Sequence, residues 1–261
     1  MLDFKGKRIV ITGAAGGVGR ALCARFSALG GTVVALDIDE KALAPLAAAE
    51  RIAVDLTDIA AMEAAIDGVM RQPVDVVLAN LGWTRAETLG ELTDESLFGE
   101  LDINLLAAMR LSRRILPALR RAKGNFVFVS SVNARAHYGN PAYSAAKAGV
   151  EAWARAIATE EGRNGVRANI VVPASIRTQA WDHRAEKDPD IFKAVAKLYP
   201  LGRLVEPDEV ANAAAFLASP LASGITGTLL AVDCGLTGSN MGFLDAIAPG
   251  ASVLTEAKPK L

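Results

Sequence analysis

Sulfur and imidazole are scarce in this chain. Its 261 residues include two cysteines, Cys23 and Cys234, and neither has a second Cys or a His at ligand spacing. A disulfide framework or a zinc site therefore has no support, and a reducing compartment fits best. The two histidines, His137 and His183, read as loop residues rather than metal ligands, and no metal is expected. An excess of one charge is also missing. The 28 Lys and Arg meet 29 Asp and Glu, which leaves a formal charge of −1 and no positive field to draw the chain to nucleic acid. No run of eighteen uncharged apolar residues occurs, so no conventional membrane span is expected. The N-terminus passes straight into Arg8-Ile9-Val10-Ile11 with no export signal, and the expected location is the cytoplasm. Aromatic residues make up only 5% against 51% hydrophobic, so the apolar content is aliphatic and alanine-rich, suited to helices packed over strands.

Short aliphatic runs alternate with helical patterns along the chain. The strand candidates are Arg8 to Thr12, Thr32 to Leu36, Ile52 to Asp55, Val74 to Ala79, Asn125 to Ser130, Arg167 to Val172 and Thr228 to Val232. They are apolar on both faces, as strands buried in a parallel sheet must be. Between them the spacing predicts helices over Val18 to Leu29, Ile59 to Met70, Ser96 to Arg121, Ala142 to Glu161 and Pro207 to Leu217. Right-handed crossovers then put helices on both faces of one sheet of about seven strands, an α/β, doubly wound architecture. No linker or repeat divides residues 1–261, so a single domain is expected. The polar stretch 176–203, with Trp181, His183, Phe192 and Tyr199, is long for a plain connection and reads as a lid over a site. The tail after Val232 reads as irregular.

The first strand ends in Thr12-Gly13-Ala14-Ala15-Gly16-Gly17-Val18-Gly19 and a helical pattern follows at once. A strand, glycine turn and helix in that order present unpaired N–H groups and a partial positive charge to a phosphate that must come close. A plain glycine-rich surface turn is the competing reading. Asp37 closes the second strand, eighteen residues past Gly19, near where a carboxylate takes adenosine ribose hydroxyls. A 2′-phosphate would meet it as a like charge, which favours NAD over NADP. Arg20, just past the turn, weakens that discrimination if it reaches back.

Tyr143 and Lys147 stand four residues apart on a segment that starts with Pro141 and continues helically, so they share a face. A phenol is a poor base at neutral pH, but an adjacent ammonium favours the phenolate, and Tyr143 then exchanges a proton with an alcohol. Ser130 and Ser131 follow a strand at the carboxyl edge of the sheet, where one of them can hold a substrate oxygen; turn caps are the alternative. Asn104 is a polar residue in an apolar helical run.

Taken together these motifs resemble the short-chain dehydrogenase/reductase family from Lys7 to about Thr237. The turn T-G-x-x-x-G-x-G is matched by Thr12, Gly13, Gly17 and Gly19, the acidic discriminator by Asp37, and the adenine-side Asp by Asp55-Leu56. The resemblance implies a Rossmann-type fold and a catalytic set of Asn104, Ser131, Tyr143 and Lys147. In that set Tyr143 is the general acid/base, Lys147 lowers its pKa and holds nicotinamide ribose, Ser131 orients the substrate oxygen, and Asn104 anchors a relay water. It also implies cofactor contacts from Gly13, Ala15, Gly17, Val18, Gly19, Asp37, Asp55, Leu56, Asn80, Gly82, Tyr143, Lys147, Pro173, Ile176 and Thr178. Four positions depart from the family pattern. Asn80-Leu81-Gly82 stands for N-A-G, Pro173-Ala174 for P-G, and Asp233-Cys234-Gly235 for D-G-G, while Ser131 and Tyr143 are twelve residues apart, one fewer than in many members.

The expected pocket wall comprises Leu81, Trp83, Asn133, His137, Tyr138, Ile176, Trp181 and His183, an aromatic surface with few fixed charges that suits a neutral secondary alcohol or ketone. The expected activity is hydride transfer between NAD(H) and such a substrate. An NADPH-dependent 3-oxoacyl-thioester reductase and a non-catalytic NAD-sensing module are the alternatives. Alanine-rich faces on Ser96 to Arg121 and Ala142 to Glu161 imply, by the same resemblance, a homotetramer, with a dimer as the alternative.

Overall fold

The computed structural model describes residues 2–85 and 88–249. Seven strands form one all-parallel sheet: β1 (Arg8–Thr12), β2 (Thr32–Asp37), β3 (Glu50–Ala53), β4 (Val76–Ala79), β5 (Asn125–Val129), β6 (Arg167–Pro173) and β7 (Leu229–Val232). Their spatial order is β3-β2-β1-β4-β5-β6-β7. The chain winds outward from β1 to β3 and then crosses back to β4, so a crevice opens between the carboxyl ends of β1 and β4. Register runs unbroken across the centre, with Ile9, Val10 and Ile11 opposite Val76, Val77 and Leu78. Every residue of β1, β4 and β5 is buried, which is why these runs do not alternate with polar residues.

The helices in chain order are α1 (Gly17–Ala28), α2 (Glu40–Leu43), α3 (Ile59–Val69), α4 (Asp94–Leu101), α5 (Ala107–Ala122), α6 (Pro141–Glu161), α7 (Asp182–Lys187), α8 (Ile191–Ala196), α9 (Pro207–Ala218) and α10 (Met241–Ile247). α1 packs with α9, and α5 packs with both α3 and α6. No helix among the described residues is long and apolar enough to cross a membrane. Phe126 and Phe128 are fully buried in β5, with rings stacked at 5.5 Å. Phe126→Ala therefore leaves a cavity in the middle of the sheet and lowers unfolding free energy by about 3–5 kcal/mol. Urea unfolding checks this, and a loss under about 1 kcal/mol contradicts the packing.

Several elements differ from the sequence expectation or add to it. β3 begins and ends two residues early, because the Asp55 carboxylate accepts from the Thr57 N–H at 2.8 Å and turns the chain out of the strand. The helix expected over Ser96 to Arg121 is two α-helices joined by a π-helical turn, Asp102–Leu106. Asn104 uses its side-chain amide to take the Glu100 carbonyl at 2.8 Å, the acceptor its own backbone N–H would use in an α-helix, and the ladder widens there. The stretch 176–203 contains the short helices α7 and α8. The tail is helical in α10, where the Asn240 side chain accepts from the Phe243 N–H at 2.9 Å and supplies the cap.

Candidate active site

Two loops close around the glycine turn. Gly13 has φ +61°, the left-handed region, and a Cβ there would sit 3.0 Å from the Cα of Leu81 on the loop after β4. The Cβ position of Gly17 is filled by the Thr178 methyl from the loop after β6, and that of Gly19 by the Gly13 carbonyl oxygen and the Ala14 backbone. The Gly16 N-cap brings no side chain to the start of α1. Its first N–H groups are left for an outside acceptor, and the turn fits a dinucleotide phosphate. Val18 lies in the first turn of α1.

Thr12 and Asn80 tie the two strand ends together. The Thr12 hydroxyl accepts from the N–H groups of Asn80 and Leu81 at 3.1 and 3.2 Å, and the Asn80 amide donates to the carbonyls of Thr12 and Gly13 at 3.1 and 3.0 Å. On the far side of the turn, Asp37 accepts from the Ala15 N–H at 2.9 Å. Arg20 does reach back: its Nε donates to the Ala15 carbonyl at 2.7 Å. A carboxylate and a guanidinium thus hold the two polar groups of one residue. Asp55 carries a hydrogen-bonded Thr57 that keeps its carboxyl below the usual range, and Leu56 beside it is buried.

At the other end of the crevice, β5 delivers two serines that point apart. Ser130 donates to the buried Glu151 carboxylate at 3.1 Å, whereas Ser131 is hydrogen-bonded with the Tyr143 hydroxyl. Ser131 also accepts from the Asn133 N–H at 3.2 Å, which fixes its rotamer. One turn further along α6 the buried Lys147 donates to the carbonyls of Val129 and Leu81 at 3.0 and 3.4 Å. Its Nζ lies 5.5 Å from the centre of the Tyr143 ring. Gly82 is the spacer of the site: a Cβ there would meet Asn104 Oδ1 at 3.0 Å and Lys147 Nζ at 3.1 Å. Asn104 itself is bound twice to Trp83, accepting from its N–H at 2.9 Å and donating to its carbonyl at 2.6 Å.

Burial pushes the Tyr143 phenol up to about 12, the Ser131 hydrogen bond opposes this, and the negative charge of Glu100 adds to it. Burial also brings Lys147 down to about 8. Desolvation thus penalises the charged form of both groups. At neutral pH Tyr143 keeps its proton.

The expected pocket residues divide. Asn133 donates to the Gly139 carbonyl at 2.8 Å and serves the loop before α6, while His137 and Tyr138 are exposed on that loop. Pro173 ends β6, and Ile176 forms a parallel bridge with Val205. Trp181 packs on Phe192 at 5.9 Å, and the side chain of His183 lies outside the described residues. The wall carries more charge than its sequence suggested, because guanidinium groups cover its rings: Arg85 over Trp83, Arg184 over Trp181 and Arg177 over Phe192, at 5.8, 4.8 and 5.7 Å. Arg20 and Arg177 line an open cavity of about 770 Å³ with Gly17, Thr178, Gln179, Phe192 and Pro207. Sequence reasoning missed Glu100 and Glu151, two carboxylates at burial deep enough to need partners. For Glu100 the available signal was a charge four residues before Asn104 in a run otherwise apolar on that face. Among the described residues no group of three or more His, Cys, Asp or Glu could hold a metal ion.

Comparisons with known proteins agree with this architecture. A solved oxidoreductase of the short chain dehydrogenase/reductase family from Burkholderia thailandensis superposes with a TM-score of 0.87 at 42% identity, over 92% of this chain and 96% of that one. An uncharacterized oxidoreductase of Schizosaccharomyces pombe is 37% identical over 92% of this chain and 94% of its own length. The 3-oxoacyl-[acyl-carrier-protein] reductase of Escherichia coli is 32% identical over 90% and 99%. The family model described as Enoyl-(Acyl carrier protein) reductase matches residues 13–237. A parallel sheet with its crevice at the β1–β4 reversal, relatives alike over nearly their whole length and a family match spanning most of the sequence lead to one conclusion: the chain belongs to the short-chain dehydrogenase/reductase family of NAD(P)-dependent oxidoreductases.

Proposed function

We propose that this oxidoreductase interconverts a secondary alcohol and its ketone, with NAD(H) preferred and Tyr143 as general acid/base. The observation that carries the reading is the Ser131–Tyr143 hydrogen bond, with Lys147 one turn away and Gly82 leaving room for Asn104 and Lys147 to close on its backbone. The cofactor would be held by the glycine turn from Gly13 to Gly19, by Asp37 at its adenosine end and by Lys147 at its nicotinamide end. When bound, it supplies or accepts the hydride. The chain itself binds, orients and moves a proton. Ser131 donates to or accepts from the substrate oxygen, and Tyr143 gives its proton to a forming alkoxide or takes one from an alcohol. A phenol that holds its proton at neutral pH is ready as an acid. Ketone reduction is therefore expected to proceed at neutral pH, and alcohol oxidation to climb as pH rises toward the phenol pKa.

NAD preference rests on Asp37, which stands where a 2′-phosphate would bring like charge. Asp37→Ala is expected to raise NADPH affinity relative to NADH by about 10- to 100-fold, equivalent to about 1.4–2.8 kcal/mol. Fluorescence titration of both reduced cofactors checks this, and tighter NADPH binding by the unaltered protein overturns the preference. A second reading, an NADPH-dependent 3-oxoacyl-thioester reductase, draws on the Arg20 contact with Ala15, which brings a guanidinium to the turn, and on the likeness to the Escherichia coli reductase. A screen of secondary alcohols and ketones, run in both directions with both cofactors and including an acetoacetyl thioester, separates the two. Turnover of the thioester alone, with NADPH alone, establishes the second. The assembly we propose is a homotetramer joined through α5 and α6.

A further inference from the structure

Glu100 is 1% exposed and sits on α4 against the helix that carries Tyr143 and Lys147. Its carboxylate accepts from the Thr84 hydroxyl at 3.0 and 3.1 Å and from the Arg85 N–H at 2.9 Å. Its backbone carbonyl accepts from the Asn104 side chain at 2.8 Å, and that same amide holds both polar groups of Trp83. One helical face thus fixes three successive residues after Gly82. A carboxylate this deep is costly unless its hydrogen bonds are kept, so the loop and the charge are held together. We propose that Glu100 is a positioning residue for the Tyr143 site: its carboxylate, on the helix packed against the one that carries Tyr143, pins Thr84 and the Arg85 backbone and so holds Trp83 and Gly82 in place.

Two separate consequences follow. Release of Thr84 and Arg85 frees the Trp83 wall, half exposed and covered by the Arg85 guanidinium, and with it the Gly82 backbone on which Asn104 and Lys147 close. Removal of the charge makes ionisation of Tyr143 easier, because Glu100 opposes the phenolate. The other charged groups on the surrounding elements have their own engagements. On α6, Lys147 binds two backbone carbonyls and Glu151 takes Ser130, with Arg135 and Arg155 at 3.8 and 3.9 Å from it; on the loop, Arg85 covers Trp83. Glu100 is the group whose change alters the field at the phenol without removing a partner of Lys147 or Glu151.

This inference rests on the reading of Tyr143 as the proton-transfer group, but its test needs no substrate. The chain has three tyrosines, so 13Cζ-tyrosine NMR of the whole protein follows each phenol through a pH titration, with Tyr143→Phe assigning the Tyr143 signal. Glu100→Gln, which keeps one acceptor oxygen and removes the charge, is expected to shift the Tyr143 titration to about tenfold higher proton concentration. Glu100→Asp, which keeps the charge but withdraws it from Thr84 and Arg85, is expected to change Trp83 emission, identified against Trp83→Phe, and serves if the Gln variant does not fold. NADH binding followed by fluorescence confirms that each variant retains its crevice. A folded Glu100→Gln with an unmoved Tyr143 titration, or a Glu100→Asp with unchanged Trp83 emission, overturns the proposal. An active Tyr143→Phe instead overturns the functional reading and leaves the Glu100 result standing.

Discussion

Tyr143→Phe loses turnover in both directions by about 10² to 10⁴-fold, the range of a single general acid/base. The variant removes one oxygen. The ring remains against Lys147, at 5.5 Å from its Nζ, so packing of α6 changes little, and NADH affinity is expected to stay within about threefold of the unaltered protein. Ser131 is left with Asn133 as its remaining side-chain partner and still orients the substrate oxygen. Stopped-flow or steady-state rates on the best substrate from the screen, paired with NADH titration, test the pair of expectations. Near-normal rates would mean that the proton travels by another group. The pH dependence adds an independent check. With the phenol near 12, the acid form dominates from neutral to moderately alkaline pH, so the reduction rate should stay flat over that span while the oxidation rate rises with pH.

The sheet and the turn were legible in the sequence because their causes are local. Arg8-Ile9-Val10-Ile11-Thr12 has an apolar centre on both faces and runs directly into glycines and then a helical pattern, the order of a buried strand that enters a tight turn. The pairing of Tyr143 with Lys147 is equally local, fixed by one turn of helix. What the sequence did not reveal depends on which partners the side chains take in the folded chain. The π turn at Asp102–Leu106 arises from a side chain competing with its own backbone. The distinction between Ser130 and Ser131 needed Glu151, from the far side of α6, to claim one of them. Arginines over Trp83, Trp181 and Phe192 come from side chains whose direction no spacing rule supplies. The tyrosine's raised pKa follows from burial, which is a property of the assembled crevice. Charge proximity along one helix face suggested the opposite direction.

Lys147→Met tests that crevice from its other side. In the folded protein the ammonium is buried and titrates near 8 rather than at its ordinary 10.5, because desolvation disfavours the charged form. Between those two values the unfolded chain binds more protons than the folded one. The stability of the unaltered protein must therefore rise with pH across that window, by at most about 3 kcal/mol. A methionine of similar length has no proton to exchange, so its curve should lack that rise. Methionine also leaves the carbonyls of Val129 and Leu81 without their donor, which costs about 1–3 kcal/mol each and offsets the relief of removing a buried charge at neutral pH. Function should suffer more than folding. On the proposed reading the ammonium is the group offered to the nicotinamide ribose, and its loss is expected to weaken NADH binding at least about tenfold and to slow turnover by about 10²-fold. Urea titrations from pH 7 to pH 9 measure the first effect, below the range where tyrosines of the unfolded chain, with a pKa of about 10, ionise and oppose the slope. Parallel curves for Lys147→Met and the unaltered protein would show that the lysine is not desolvated as its position between two backbone carbonyls requires.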